Sequence, residues 1–232
     1  MDAFTQFDGN LLIGIQQALN ADWLTPVMKV ITMFGEGGYF WIACCVLMLM
    51  FRKTRRLGII CTLSLAFTFI CCNLVVKPLV DRTRPWVTFE AVNAMLPPPG
   101  DASFPSGHSA NAMGPAWALF ISTMPVRHRI SKADTGSTRT IGNADTGSTR
   151  TIRTYDDVAP LGWKGVSADP RFAHRLGIAG VVLALLIGIS RLYLGMHYPS
   201  DVICGLLLGM ICATIVHAFI KKVEAKRGII GG

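Results

Sequence analysis

This chain of 232 residues contains few charged residues, since only 16% are Asp, Glu, Lys or Arg. Soluble domains carry about 25% charged residues, and hydrophobic residues make up 51% of this sequence. Four segments contain no charged residue at all, namely 57–76, 109–126, 176–190 and 202–220. Because roughly 20 apolar residues in a helix cross the bilayer core, this scarcity excludes an ordinary soluble domain and predicts an integral membrane protein.

The sequence also lacks a metal-binding or disulfide pattern of cysteines and the basic region of a signal peptide. The seven cysteines lack the spacing of a zinc site, and an odd number inside apolar segments is no disulfide framework. We expect them to pack as small apolar side chains. The N-terminus, MDAFTQFDGN, lacks the basic region with which a cleavable signal peptide begins. We therefore expect the first membrane helix to direct insertion.

The predicted fold is all-α, a single-domain antiparallel bundle of five transmembrane helices. Besides the four uncharged segments, residues 24–34 and 39–51 form one span that is interrupted at 35–38. The alternative is an interfacial helix followed by a short span. Apolar residues at helical spacing in 4–22 predict an amphipathic helix on the outer surface, and the alternative there is a sixth span. A GxxxG pattern at 205–209 indicates either a dimer contact or close packing within the bundle.

The basic residues lie mainly in three groups, four at 52–56, nine at 126–175 and four at 221–227. These groups hold 17 of the 22 Lys and Arg residues and fall in alternate loops of a five-span bundle. The positive-inside rule then places all three in the cytoplasm, with the N-terminus outside and the C-terminus inside. This distribution also argues against nucleic acid as a partner, which the net charge of +8 would otherwise suggest.

A hydrophilic insert at about 126–171 separates the third and fourth spans. It contains a tandem repeat, ADTGSTRTIGN at 133–143 followed by ADTGSTRTIRT at 144–154, identical at nine of eleven positions. Ser, Thr, Gly and Asp dominate this composition, so no packed core is expected. We predict a flexible cytoplasmic loop within the single membrane domain 1–232.

Several ionisable residues lie near span ends but outside those basic loops. In an antiparallel bundle, the end of span two, the start of span three, the end of span four and the start of span five share the outer face. Each such side chain alone would be an interfacial anchor, but polar residues placed together at the membrane edge indicate function. They are Lys77, Arg82, Arg84, His108, Arg191, His197 and Asp201.

Three of these residues, Lys77, Arg84 and Arg191, are cations that together require an anion. The planar fork of arginine suits phosphate oxygens, and lysine adds a point charge. The third span opens with Ser106 and Gly107, and free backbone N–H groups at a helix start bind phosphate. The sequence therefore predicts a site for a phosphoryl group with these five residues as its ligands.

Two histidines predict two proton-handling roles. His197 and Asp201 are four residues apart, and Pro199 is typical of the first position of a helix. The carboxylate would then reach one imidazole nitrogen and leave the other as a nucleophile. His108 would protonate the leaving oxygen and afterwards activate water. The acidic residues are too scattered for a metal cluster, so we expect neither a metal nor another cofactor.

These residues form a three-part pattern. Lys77 and Arg84-Pro85 come first, then Pro105-Ser106-Gly107-His108, and finally Ser190-Arg191 with His197 and Asp201. The pattern resembles the signature of the type 2 phosphatidic acid phosphatase superfamily, with eleven residue types in order at the family spacing. The resemblance covers about 35–220 and leaves out the repeat-bearing insert.

The resemblance implies an integral-membrane phosphatase that hydrolyses lipid phosphates or diphosphates without a metal, through a phosphohistidine. It matches His197 to the nucleophile, Asp201 to its orienting acid and His108 to the general acid. It matches the phosphate-binding set to Lys77, Arg84, Ser106, Gly107 and Arg191. Ser190 belongs to the pattern without a chemical task, and packing is our interpretation. Members usually have six spans, whereas five are counted here.

The substrate stays open among undecaprenyl diphosphate, phosphatidylglycerophosphate, phosphatidate and the lipid A phosphate. We expect the first, because a small bundle with an outward-facing site suits recycling of that carrier in the cell membrane. The headgroup selector is expected within 86–101. Alternatives are a phosphotransferase that passes the group to another lipid, a non-enzymatic membrane scaffold and a vanadium haloperoxidase. Haloperoxidases are soluble, so the long apolar spans argue against the last.

Overall fold

The computed structural model describes residues 3–19, 21–97, 99–124 and 170–226, and these residues form helices without any strand. A 3-10 turn joins α2 to α3, and a π-helical segment joins α4 to α5. The repeat at 133–154 and the insert around it lie outside the described residues. The prediction of an all-α fold is confirmed. The helices are α1 Ala3–Ala18, α2 Leu24–Met33, α3 Tyr39–Met50, α4 Arg55–Phe69, α5 Lys77–Val80, α6 Pro85–Thr88, α7 Gly107–Thr123, α8 Pro170–Tyr193 and α9 Pro199–Lys226.

Four helical stretches are long and apolar enough to cross a bilayer, namely Leu24–Met50, Arg55–Thr88, Arg171–Tyr193 and Pro199–Lys226. The predicted third span is α7, whose 17 residues rise about 25 Å, slightly less than a bilayer core. Helix α7 packs against α4, α8 and α9 and so lies at the centre of the bundle. The chain is a multi-pass membrane protein, and five remains the predicted number of spans.

Small residues let the helices around α7 approach closely. A Cβ on Gly205 would lie 2.6 Å from the carbonyl oxygen of Ser106, and one on Gly209 would lie 2.7 Å from that of Ala110. The GxxxG pattern of α9 therefore packs against α7 within this chain, one of the two expected roles. The seven cysteines are unpaired thiols, in agreement with the sequence.

The break between α2 and α3 passes beside the predicted site. Gly37 and Gly38 have φ angles of 55° and 69°, in the left-handed region that glycine adopts without strain. Leu24–Met50 nevertheless forms one stretch that is long and apolar enough to cross a bilayer, in agreement with a single interrupted span. The turn brings Gly35 against the side chain of His108, where a Cβ would lie 3.0 Å from Cδ2.

Helix α1 is the predicted amphipathic helix, but only one of its faces is a surface. Phe4 and Phe7 are exposed, whereas Asp8 and Leu12 are buried. Gln16 Nε2 donates to the carbonyl oxygens of Asn93 and Tyr193, at 2.9 and 3.0 Å. The buried face of this surface helix therefore packs into the bundle through a polar residue, which hydropathy alone does not place.

The connection from α5 to α7 covers the end of α8. One helical turn, α6, interrupts this connection, because Pro85 favours the first position of a helix. The Ser103 N–H donates to the carbonyl oxygen of Arg82 at 2.8 Å, and the Met95 N–H donates to that of Leu194 at 3.1 Å. These bonds hold the loop over the residues that follow α8.

Candidate active site

The predicted site residues lie where the ends of four helical segments meet. Lys77 begins α5, Arg84 directly precedes α6, Gly107 begins α7 and Arg191 lies in the last turn of α8. His197 lies in the turn from α8 to α9, and Asp201 lies in the first turn of α9, as Pro199 predicted. Gly195, with φ of 70°, forms the bend that precedes this histidine.

The His197 imidazole is buried and lies between an arginine and a carboxylate. Nε2 is 3.3 Å from Arg84 Nη1, and Nδ1 is 3.5 Å from Asp201 Oδ2. Since a guanidinium only donates hydrogen bonds, Nε2 must be the acceptor and Nδ1 must carry the proton. At 3.5 Å the proton-bearing Nδ1 forms no hydrogen bond, yet it faces the carboxylate. The geometry matches the tautomer that the sequence predicts, with a lone pair on Nε2.

Burial and charge keep this imidazole neutral. Burial lowers the pKa of His197 to about 3, and the positive charges of Arg191 and Arg84 act in the same direction. Asp201 opposes this shift without overcoming it. An unperturbed histidine has a pKa near 6.5, so the Nε2 lone pair of His197 is available over a much wider pH range.

The Asp201 carboxylate is fully buried and bound on both oxygens. Oδ1 accepts from Arg82 Nη1 at 2.7 Å. Oδ2 accepts from the Ser103 hydroxyl and from the Tyr198 N–H. The Ser106 N–H donates to the Asp201 carbonyl oxygen at 2.9 Å, which ties the start of α7 to α9. The carboxylate can therefore neither rotate nor leave the side of the imidazole.

Two predicted phosphate ligands already hold an anion from the protein itself. Arg84 Nη2 donates to Asp101 Oδ1, and Lys77 Nζ donates to Asp101 Oδ2. Burial raises the pKa of the Asp101 carboxyl, but Lys77 and Arg84 outweigh that effect and hold the pKa below its usual value. The side chain is half exposed. A carboxylate thus bridges the two cations beside the Nε2 of His197.

His108 and Arg191 line a cavity of about 310 Å³ together with Glu36 and loop residues. His108 Nε2 is 3.2 Å from Glu36 Oε2. Arg191 Nη1 donates to Thr32 Oγ1 at 3.0 Å, while its Nε is buried without a hydrogen-bond partner. A buried donor without a hydrogen-bond partner destabilises a folded protein. An anion or a water molecule in this cavity would accept the hydrogen bond from this Nε. The loop residues are Leu96, Pro97 and Pro99.

The start of α7 lies close to the Lys77 amine. Ser106 caps the helix, because its Oγ accepts from the Ser109 N–H at 3.5 Å and from the Ser109 hydroxyl at 2.9 Å. Its own hydroxyl hydrogen remains available to a ligand. A Cβ on Gly107 would lie 2.9 Å from Asn73 Oδ1 and 3.8 Å from Lys77 Nζ, so a larger residue there would displace the Asn73 side chain.

Several residues of the site had no role in the sequence interpretation. Arg82 was placed near the site without a function, and Asp101 was weighed only as a metal ligand. Within the residues that the structure describes, no group of three or more His, Cys, Asp or Glu side chains is arranged to hold a metal. Ser190 donates to the Ile187 carbonyl oxygen at 2.6 Å and is buried, which agrees with a packing role. The other unassigned residues are Asp8, Thr32, Glu36 and Ser103.

Known proteins share this sequence pattern. A family model described as the PAP2 superfamily matches residues 56–225. An undecaprenyl-diphosphatase of Sulfolobus acidocaldarius is 28% identical over 187 residues, which cover 80% of this chain and 66% of that protein. Phosphatidylglycerophosphatase B of Bacillus subtilis is 29% identical over 210 residues, which cover 88% of this chain and 79% of that protein.

Solved structures share the fold. The transmembrane PAP2-type phosphatidylglycerolphosphate phosphatase of Bacillus subtilis aligns with a TM-score of 0.65 at 23% identity, over 96% of this chain and 89% of that one. LpxE of Aquifex aeolicus aligns with a TM-score of 0.58 at 21% identity, over 89% and 92%. The resemblance read from the motifs is thereby confirmed, and the prediction of a membrane phosphatase is confirmed at the level of the family. The chain belongs to the PAP2 superfamily.

Proposed function

We propose that this protein removes a phosphate from a membrane lipid phosphate or diphosphate through a phosphohistidine on His197. The observation that carries the proposal is the His197 imidazole, which is buried, neutral and directs its Nε2 lone pair toward Arg84. Arg84 and Lys77 together already bind an anion, the Asp101 carboxylate. A nucleophile beside a two-cation anion site is the arrangement that phosphoryl transfer requires.

In the first step, the substrate phosphate displaces the Asp101 carboxylate from Lys77 and Arg84. Nε2 of His197 attacks phosphorus, so that the Nε2–P bond forms and the bond from phosphorus to the leaving oxygen breaks. A protonated His108 gives its proton to that oxygen. The imidazole ring becomes positively charged, and the Asp201 carboxylate stabilises it through Nδ1–H.

In the second step, His108 takes a proton from a water molecule, whose oxygen attacks phosphorus. The P–Nε2 bond breaks, its electron pair returns to His197, and inorganic phosphate leaves. Charge on the phosphoryl oxygens is stabilised by Arg84, by the buried Nε of Arg191 and by N–H groups at the start of α7. Glu36 Oε2, at 3.2 Å from His108 Nε2, orients the imidazole for the next cycle.

Undecaprenyl diphosphate is the substrate that we propose first. The relative from Sulfolobus acidocaldarius bears that activity in its name, and the match covers 80% of this chain. Phosphatidylglycerophosphate is the second candidate, because relatives with that activity in their names match in both sequence and fold. The cavity beside His108 has apolar walls of Leu96 and prolines, which suit a lipid next to its phosphate.

We further propose that the site faces outward and that the C-terminus is cytoplasmic. Basic residues cluster at the opposite end of the bundle, around the connection from α3 to α4 and in the last turn of α9. The positive-inside rule assigns that end to the cytoplasm. The location in the cell membrane and the lipid substrate belong to the same proposal.

The test is a phosphate-release panel on detergent-solubilised protein with the four candidate lipids, with and without a second lipid as acceptor. We expect release of inorganic phosphate from at least one lipid and complete loss of release in His197→Ala. His217→Ala is the matched control, since His217 bonds Ser122 at 3.0 Å on membrane helices away from the site. Release that persists in His197→Ala would refute the mechanism, and transfer to the acceptor without release would indicate a phosphotransferase.

A further inference from the structure

Helix α1 carries a buried carboxylate that the proposed reaction does not use. Asp8 is only 3% exposed, on a helix whose Phe4 and Phe7 face outward. A buried carboxylate is unfavourable unless it is paired and hydrogen-bonded. Its Oδ2 lies 2.8 Å from Arg82 Nη2, and its Oδ1 accepts from the Ser200 N–H at 3.1 Å. These partners connect α1 to the loop after α5 and to the first turn of α9.

Arg82 divides its guanidinium between two carboxylates. Nη2 donates to Asp8, whereas Nη1 donates to Asp201 Oδ1 and to the Ser200 hydroxyl, both at 2.7 Å. The guanidinium also lies over the Tyr198 ring, 3.9 Å from its centroid. Contacts on every side fix the group in one orientation. The carboxylate of α1 is thereby linked to the carboxylate beside the nucleophile through a single rigid cation.

The charges of this cluster favour the chemistry at His197. Asp8, Arg82 and Asp201 together carry a net charge of −1 next to a neutral imidazole. When Nε2 bonds to phosphorus, the ring becomes positive, and the negative cluster balances it. Without Asp8, Arg82 would neutralise Asp201, and the positive ring would face a cluster of zero net charge. Asp8 lies behind Arg82 and Asp201 as seen from the ring, and between buried groups a charge at that distance is screened less than in water.

We propose that Asp8 and Arg82 are positioning residues for the reaction, acting on His197 through Asp201, and that α1 is thereby part of the active site. The inference rests on the proposed function. It concerns the step in which the Nε2–P bond forms, the bond to the leaving oxygen breaks and His108 supplies the proton. The family model covers only residues 56–225, so this residue of α1 lies outside the segment that defines the superfamily.

A purely structural role makes a different prediction. If Asp8 only clamps α1 to the bundle, its loss lowers the temperature of unfolding and leaves the turnover of folded enzyme unchanged. If it acts on His197, the loss lowers kcat, because the positive ring is less stabilised in the transition state. KM stays constant in that case, because the phosphate ligands Lys77, Arg84 and Arg191 are untouched.

The test compares Asp8→Asn with wild-type protein in detergent, on whichever lipid releases phosphate. We expect kcat to fall about tenfold to a hundredfold, with KM and inhibition by inorganic phosphate changed less than about twofold. The matched control is Glu224→Gln, which removes a carboxylate from a bidentate pair with Arg56 on the cytoplasmic side. We expect the control to keep its kcat. An unchanged kcat in folded Asp8→Asn overturns the proposal.

A second variant serves if Asp8→Asn does not fold. Ser200→Ala keeps all three charges but removes the hydroxyl that bonds both Asp8 and Arg82. We expect its kcat to fall about threefold at constant KM, and an unchanged kcat contradicts the inference. The proposed function fails separately, when wild-type protein releases no phosphate from any lipid or when His197→Ala remains active.

Discussion

The two ends of the bundle each contain arginine–carboxylate contacts shorter than 3 Å, but they are built differently. On the proposed cytoplasmic side, Arg56 donates with Nε and Nη2 to the two oxygens of Glu224, at 2.6 and 2.5 Å. At the candidate site, Arg82 donates with its two terminal nitrogens to two different carboxylates. The first arrangement is a closed, neutral pair, and the second is an open cluster with excess negative charge.

The difference shows what separates a structural ion pair from a reactive one. A bidentate pair satisfies its own charges and leaves nothing for a third group. A shared arginine leaves a carboxylate that still acts on its neighbour, here His197. The cations at the two ends differ as well. Arg56 has a carboxylate of its own, whereas Arg84 and Lys77 share one, the half-exposed Asp101, which the substrate phosphate displaces in the proposed reaction. Buried charges that remain incompletely neutralised mark the end of the bundle where we propose that the reaction occurs.

The largest loss of activity is expected from a change at Arg84, and it tests whether the two ends differ in function. Arg84→Gln removes a cation from the phosphoryl group and the donor that orients His197 Nε2, so kcat/KM should fall about a thousandfold. Arg56→Gln, at the other end, should leave kcat/KM within about twofold of wild type. Steady-state phosphate release measures both. Equal losses in the two variants would show that the ends do not differ in function.

The dependence of kcat/KM on pH is the second test of the comparison. A proton on His197 blocks the nucleophile, and its pKa of about 3 lies below the ordinary 6.5. Activity should therefore survive acidification, with kcat/KM attributable to this group falling less than about twofold between pH 7 and pH 5. A histidine of ordinary pKa, near 6.5, would lose about twenty-five-fold over the same interval. A steep acidic limb near pH 6.5 in kcat/KM would contradict the buried neutral state of His197.

A smaller effect is expected from a change of Asp101, the carboxylate that pairs with Lys77 and Arg84. Asp101→Asn removes the negative charge that competes with phosphate for Lys77 and Arg84, so inorganic phosphate should inhibit about tenfold more tightly. The inhibition constant in the phosphate-release assay measures this change. Asp22→Asn, an exposed carboxylate on the connection from α1 to α2, is the matched control and should change nothing. Weaker inhibition in Asp101→Asn would mean that the carboxylate helps to bind phosphate.

The smallest effect on activity is expected on the proposed cytoplasmic side. Glu224→Gln breaks the closed pair with Arg56, both partners of which are partly exposed, and should lower the free energy of unfolding by about 1 kcal/mol. Thermal unfolding in detergent measures the loss, and phosphate release should stay at the wild-type level. A fall in turnover would show that the two ends are coupled.

Much of the site could be predicted because its residues lie at the ends of apolar segments. The uncharged runs located the spans, and their alternation placed Lys77, Arg84, Arg191 and His197 at one level. His197 and Asp201 lie four residues apart on either side of Pro199. This spacing is local, and the structure preserves it. The uncharged run 176–190 located the middle of α8, although the helix extends from Pro170 to Tyr193. The interrupted first span also followed from the pattern of charge and glycine.

The partners of those residues could not be predicted. Asp8 and Ser200 are 192 positions apart, and Arg82 and Asp201 are 119 apart, so nothing local in the sequence pairs them. The periodicity of α1 predicts an amphipathic helix but does not tell which bundle face receives its one acidic residue. Glu36 lies in a glycine break whose path beside His108 depends on how α2 and α3 pack.

The amino-acid sequence by itself determined the class of the protein, its membrane segments and the candidate reactive groups, because those follow from transfer of side chains out of water and from short helical spacings. Only the tertiary structure decided which carboxylate meets which cation. That choice depends on contacts between helices distant in sequence, where burial makes every unpaired charge unfavourable and so selects one arrangement.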